Sequence, residues 1–154
     1  MGQIAKPIII TAVVVGLIAG AYFLFRDRIA EPAQSLRVGD CFEVPSETTV
    51  SQIQHRPCTE PHDGEAFVVA NIENDSYPIS ITMERWVTDN CLGSAFESYV
   101  GTSYDGQTDI EVQWFSPTFD GWKNGDREVK CFLTPSAGGT VTASYKAGGA
   151  PAAS

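Results

Sequence analysis

Apolar and polar positions change period several times along the chain, and each change marks an element. Residues 7–25, "PIIITAVVVGLIAGAYFLF", carry no charge over 19 positions. As a helix at ~1.5 Å per residue, such a run reaches across the ~30 Å hydrocarbon core of a bilayer. It ends in Tyr22-Phe-Leu-Phe25 and then Arg26-Asp-Arg28, with no small-residue cleavage pattern. An uncleaved anchor is therefore expected rather than a signal peptide, whose apolar stretch is shorter. Residues 29–35, "IAEPAQS", read as a linker, and the folded part is expected from Leu36.

Beyond the linker the runs shorten. "LRVGDCFEV" and "TVSQIQHRPC" end in turn residues or proline and predict two strands, and the β-branched residues 65–72, "EAFVVANI", a buried central one. From Ser80 the period becomes helical. Met83, Val87, Cys91 and Ala95 fall four apart, with Trp86, Phe96 and Tyr99 beside them. Ser80 is the expected N-cap and Gly101 the expected stop. "DIEVQWF" returns to alternation, with Ile110, Val112 and Trp114 on one face. "SPTFDGWKNGD" reads as a loop or a turn of helix, with Gly125-Asp126 as a turn. "REVKCFL" is a strand with Val129 and Cys131 on one face. "GTVTASYK" alternates Val141, Ala143 and Tyr145 and predicts a last strand, and residues 147–154 a frayed tail.

The order of elements predicts an α+β fold. A single N-terminal transmembrane helix precedes a small, mostly antiparallel sheet with one main helix packed on it. The parts are residues 1–28 (tail and anchor), 29–35 (linker), 36–146 (domain) and 147–154 (tail).

Charge and cysteines place the domain. Flanking cations do not decide orientation, since Lys6 stands on one side of the run and Arg26 and Arg28 on the other. All four cysteines follow the run, and an even count in a domain of this size suits an oxidising space. A cell-membrane protein is expected, single-pass, with its N-terminus cytoplasmic and its domain extracytoplasmic. Beyond Arg28, 7 basic residues face 18 acidic ones, a balance of −11 that excludes a nucleic-acid surface. Cys41 and Cys58 lie on consecutive predicted strands, Cys91 on the buried stripe of the helix and Cys131 on a strand beneath it. Of three connectivities, Cys41–Cys58 and Cys91–Cys131 is the expected one, and it staples the fold twice.

The densest chemistry is "CTEPHDGE", residues 58–65. His55-x2-Cys58-x3-His62 has the residue types of a zinc or copper site. Its fourth ligand would be Cys41 or a carboxylate, which leaves an odd cysteine, so no metal or other cofactor is expected. A thiol–imidazole pair needs a free cysteine, and a serine triad of the G-x-S-x-G type has no such motif here. What remains is a tight turn at Asp63-Gly64, with His62 and Glu65 hydrogen-bonding backbone around it, or a pH-sensing or ligand contact at His62. A second cluster gathers Trp114, Phe115, Phe119 and Trp122 beside Asp109, Glu111 and Asp120. It reads as core and loop anchoring, against the alternative of a cleft that binds or cleaves envelope glycan.

In order, "VGDCF", "CTEPHDGEAF", the Cys91 helix ending "YVG" and "PTFDGWKNGDREVKC" resemble the septum formation family of small extracytoplasmic domains from bacterial, chiefly actinobacterial, membrane proteins. The resemblance runs over residues 36–134. It implies a link to the cell envelope or division septum, brings no catalytic residues, and makes His62, Glu65, Trp122, Asp126 and Arg127 signature positions. In the anchor, Ala12, Gly16 and Gly20 repeat at spacing four, a face that lets another helix approach closely. The expected protein is non-enzymatic and acts through membrane or envelope partners. The alternatives are an accessory subunit of a respiratory or transport complex, and a glycan-binding or glycan-hydrolysing module.

Overall fold

A computed structural model describes residues 14–18, 30–46 and 50–146 of the chain. The described strands are β1 (Ala30–Pro32), β2 (Cys41–Glu43), β3 (Gln52–Arg56), β4 (Gly64–Asn71), β5 (Ile110–Phe115) and β6 (Glu128–Pro135). The helices are α1 (Ser80–Asn90), α2 (Ser94–Val100) and α3 (Phe119–Lys123). The strands form one sheet in the order β1-β3-β2-β4-β6-β5, and each neighbouring pair is antiparallel. The α+β expectation holds.

Residues 14–18 are helical with exposed side chains, and among the described residues no helix is long and apolar enough to cross a membrane. The rest of the apolar run 7–25, with Ala12 and Gly20, and the tail 147–154 lie outside the described residues. Gly16 lies within them, and a Cβ there would meet nothing within 4 Å.

Two corrections concern the ends of the domain. Residues 30–35, expected as linker, join the fold: β1 pairs with β3, and a 3₁₀ turn (Ala33–Ser35) follows. Ala33 inside that turn is buried, because it closes over Ile53 and Phe42. The last strand is absent: residue 141 makes one isolated bridge, to His62. Val141 and Tyr145 are buried but Ala143 is exposed, so the inward spacing is four residues and the segment turns rather than alternates.

The sheet is buried on both faces. On one, Phe67, Ile110, Val112, Cys131 and Leu133 meet Val87, Cys91, Phe96, Tyr99 and Val100 of the helical layer, with Val141 and Tyr145 closing the end. A bulge between Ala66 and Val68 turns Phe67 and Val68 toward this side together. On the other, Phe42, Ala66 and Phe132 pack with Leu36, Ile53 and Ala33. The Phe42 ring lies 5.3 Å from Phe132. Burying a side chain of that size contributes roughly 1.5–3 kcal/mol.

The helical stripe breaks once. Met83 and Val87 are buried along α1 and Cys91 follows at its C-cap, but Leu92 N–H reaches back to the Val87 carbonyl (3.3 Å) and Gly93 redirects the chain. The single expected helix is thus two. The reset lets the larger Phe96 point inward while Ala95 is half-buried. Gly101 ends α2 at φ 87°, as its C-terminal position requires, whereas Ser80 opens α1 with no side-chain cap. Trp114, expected inward, is 37% exposed: it sits on edge strand β5, where the helices cover only Ile110 and Val112.

Both expected disulfides are present, Cys41–Cys58 and Cys91–Cys131, with Cα separations of 5.2 and 6.4 Å. Gly64 supplies a sharp test of the packing. A Cβ there would stand 2.7 Å from the Phe42 ring and 2.8 Å from Val44 Cγ2, and Phe42 has no exposed surface along which to retreat. Gly64→Ala should therefore lower stability by about 1–3 kcal/mol in a urea titration. An unchanged midpoint would mean that the Phe42 layer is loose.

Candidate functional site

The signature residues fall into two groups, one at each end of the β4–β6 pair. The first is built on "CTEPHDGE". Asp63 accepts the Val44 N–H through Oδ1 at 2.6 Å, which fixes the turn into β4. His62 exchanges both backbone hydrogen bonds with Val141, at 3.0 and 2.8 Å. Its Nδ1 lies 2.8 Å from the Glu60 carbonyl, an oxygen that only accepts, so Nδ1 is a donor. Among the described residues Nε2 has no hydrogen-bond partner, in a residue with 0% exposure.

Glu65, three positions on, is also 0% exposed and is the hub of the group. Its Oε1 accepts from the Tyr99 hydroxyl (2.6 Å) and the Ser144 hydroxyl (2.6 Å), and its Oε2 accepts from the Tyr145 N–H (2.8 Å). One carboxylate thus ties β4 to α2 and to the C-terminal segment. A buried carboxylate is tolerable only with such a set of donors. Burial, and then the Glu65 hydrogen bond and charge, push the Tyr99 phenol well above its ordinary value. Burial, with the Glu65 charge second, pushes Tyr145 up to about 12. Both phenols stay neutral at physiological pH, so Tyr99 remains a donor.

Cys41 completes the neighbourhood. One ligand-type atom each from Cys41, His62 and Glu65 lies within 4.8 Å of the others, and all three residues are buried. The sulfur of Cys41 is bonded to Cys58. His55, which sequence spacing put in the same cluster, instead faces Asp40 at 3.8 Å from β3. The hydrogen-bonded turn of the motif lies at Pro57–Glu60 and not at Asp63-Gly64, since Asp63 is a bend and Gly64 already belongs to β4. His62 makes the expected local backbone contact, to the Glu60 carbonyl, whereas Glu65 reaches a backbone N–H 80 positions away, at Tyr145.

The second group is built on "TFDGWKNGDR". Thr118 caps α3 by accepting the Gly121 N–H at 3.0 Å. Asp126 accepts the Glu128 N–H at 3.1 Å, which starts β6. Trp122 is buried against Ile72, Met83 and Val129. The Arg127 guanidinium lies over its ring at 3.6 Å, and Nη1 donates to the carbonyls of Trp122 and Asp126, each at 2.8 Å. A cation held on a ring by two carbonyls stiffens the turn. Nearby on β6, Lys130 is buried and paired with Glu128, and desolvation lowers its pKa against the opposing charge of Asp126.

The aromatic–acidic cluster does not form one cleft. Phe115 packs on Phe42 and Phe132, Trp122 on Tyr77, and Trp114 stands at the sheet edge. Asp120 is largely exposed and faces Lys123. Sequence reasoning missed Tyr99, Ser144 and Tyr145 as partners of Glu65, because they lie 34, 79 and 80 positions away. It also missed an exposed apolar corner, where Tyr77 packs edge-on against Phe119 at 5.4 Å. Phe119 is 56% exposed, and Ile79 at the N-cap of α1 and Ile81 in its first turn are exposed as well. The signal of Ile81 was available, since it falls off the Met83–Val87 stripe; Ile79 continues that spacing but stands at the N-cap, before the helix begins.

A family model described as "Septum formation" matches residues 19–131. No curated protein and no solved structure matches the chain.

Proposed function

We infer, from the premise that this chain belongs to the septum formation family, that it is a membrane-anchored, non-enzymatic envelope protein whose extracytoplasmic domain works by binding protein partners of the division septum. The family match over residues 19–131 carries this reading. The apolar run 7–25 supports the anchor, and the two disulfides support an oxidising exterior. The site geometry supports a role without catalysis: His62 and Glu65 are enclosed, and the Glu65 oxygens are engaged by donors of the fold itself. Exposed apolar side chains at Tyr77, Ile79, Ile81 and Phe119 are the kind of surface a protein partner covers.

The test is affinity purification from native membranes in mild detergent, with a tag after Ser154 and mass spectrometry against a tag-only control. Division or cell-wall proteins should co-purify, and Phe119→Ser with Ile79→Ser should reduce their recovery several-fold. Stoichiometric recovery with a respiratory or transport complex would replace the septal reading by the accessory-subunit one. A solitary protein would contradict both.

A further inference from the structure

We propose that Cys41, Cys58, His62 and Glu65 form a zinc site when the Cys41–Cys58 disulfide is reduced, so that the motif is a thiol-dependent metal switch. The inference stands independently of the septal reading.

Three observations meet at one point. Ligand-type atoms of Cys41, His62 and Glu65 lie within 4.8 Å of one another in a buried setting. His62 Nε2 is buried there without a hydrogen-bond partner among the described residues, and the Glu60 carbonyl holds Nδ1 as a donor. That is the outer-shell arrangement which presents an imidazole lone pair to a metal. Glu65 is oriented by Tyr99, Ser144 and the Tyr145 N–H, as ligating carboxylates are. Cys58 supplies the fourth ligand, because its sulfur is bonded to that of Cys41 in the oxidised form. Zinc bonds of ~2.0–2.3 Å in a tetrahedron separate the ligands by ~3.4–3.8 Å, so a contraction of about 1 Å from the present spacing closes the site. Two sulfurs, one imidazole and one carboxylate suit zinc above magnesium or calcium.

The chemistry balances with a dithiol as the reductant. The dithiol passes two electrons and two protons to the Cys41–Cys58 bond, leaving two thiols here and a disulfide on the reductant. Binding of Zn²⁺ then releases the two thiol protons and forms two metal–thiolate bonds. A disulfide reagent reverses the step: it takes the two electrons from the thiolates and, with two protons from water, becomes a dithiol, while the Cys41–Cys58 bond re-forms and the ion is released. The deeper Cys91–Cys131 bridge lies in a separate core cluster, and its sulfurs take no part.

The experiment uses the full chain in mild detergent, with Co²⁺ and Zn²⁺ alone as probes. The dithiol-reduced protein should bind one equivalent of Co²⁺, giving the strong visible band of a tetrahedral site and a thiolate charge-transfer band. Zn²⁺ should abolish both, and reoxidation should release the metal. The oxidised protein should bind neither ion. His62→Gln, which keeps the size of the side chain's polar end, should weaken binding by about tenfold or more. Failure of the reduced chain to bind would overturn the proposal, as would equal binding by His62→Gln or by the oxidised protein. Circular dichroism covers loss of fold: a reduced chain that unfolds and is not restored by Zn²⁺ also overturns it.

Discussion

Glu65→Ala should be the most damaging single substitution in the domain, costing about 3–5 kcal/mol, the range for removing one partner from a buried charged network. Three donors lose their acceptor at once: the Tyr99 hydroxyl, the Ser144 hydroxyl and the Tyr145 N–H. The Tyr99 hydroxyl and the Tyr145 N–H are buried and the Ser144 hydroxyl is partly buried, and each buried bond left unmade costs ~1–3 kcal/mol. The deleted carboxylate also leaves a cavity between β4, α2 and residues 144–145. Against a total stability of ~5–15 kcal/mol, the variant should be partly unfolded. Glu65→Gln should be milder, at about 1–3 kcal/mol. Its amide oxygen can serve the Tyr145 N–H, which cannot reverse, while the two hydroxyls can rotate to accept from the amide nitrogen. Urea titration of both variants measures the difference. Equal costs would mean that charge, and not donor geometry, dominates the hub.

Removing the Cys91–Cys131 bridge should follow closely in size, and it should exceed the loss of the Cys41–Cys58 bridge. The separations are 40 and 17 residues. In the chain-entropy model these loops correspond to ~4 and ~3 kcal/mol. Surroundings favour the same order. Cys91 and Cys131 are both 0% exposed and join α1 to the sheet inside one core cluster, whereas Cys58 is only half-buried. Cys91→Ala/Cys131→Ala and Cys41→Ala/Cys58→Ala, each with the other bridge intact, should differ by about 1 kcal/mol in denaturation. The reverse order would show that the second bridge holds more of the fold than the core does.

Periodicity carried the architecture far, and particular residues show where it stopped. The strands at 65–72 and 110–115 were legible because one or both faces bury against a layer, and both disulfides followed from placing the cysteines on two earlier strands, the helix and the strand beneath it. The single helix failed at Leu92-Gly93, where a local reset admits Phe96, a choice of tertiary packing that spacing does not encode. Trp114 failed for the opposite reason: alternation assigns a face, but an edge strand can outrun the layer that covers it. At the site, the contact of His62 with the Glu60 carbonyl, two positions away, was readable from turn chemistry, whereas that of Asp63 with the Val44 N–H, 19 positions away, was not. The hub was not, because Ser144 and Tyr145 reach Glu65 from the far end of the chain. The last segment looked like a strand since Val141, Ala143 and Tyr145 alternate, yet its anchor is one bridge and one carboxylate.

That anchor holds the central structural claim: the "CTEPHDGE" motif closes the fold by tying residues 141–146 into the core. Native-state hydrogen exchange of the Val141 and Tyr145 amides tests it most directly, since one bonds the His62 carbonyl and the other the Glu65 carboxylate. Both amides should exchange as slowly as those of β6, opening only with global unfolding, and Glu65→Gln should speed Tyr145 more than Val141. Rapid exchange at both positions in the wild-type protein, with β6 fully protected, would contradict the closure and return the motif to the status of a peripheral turn.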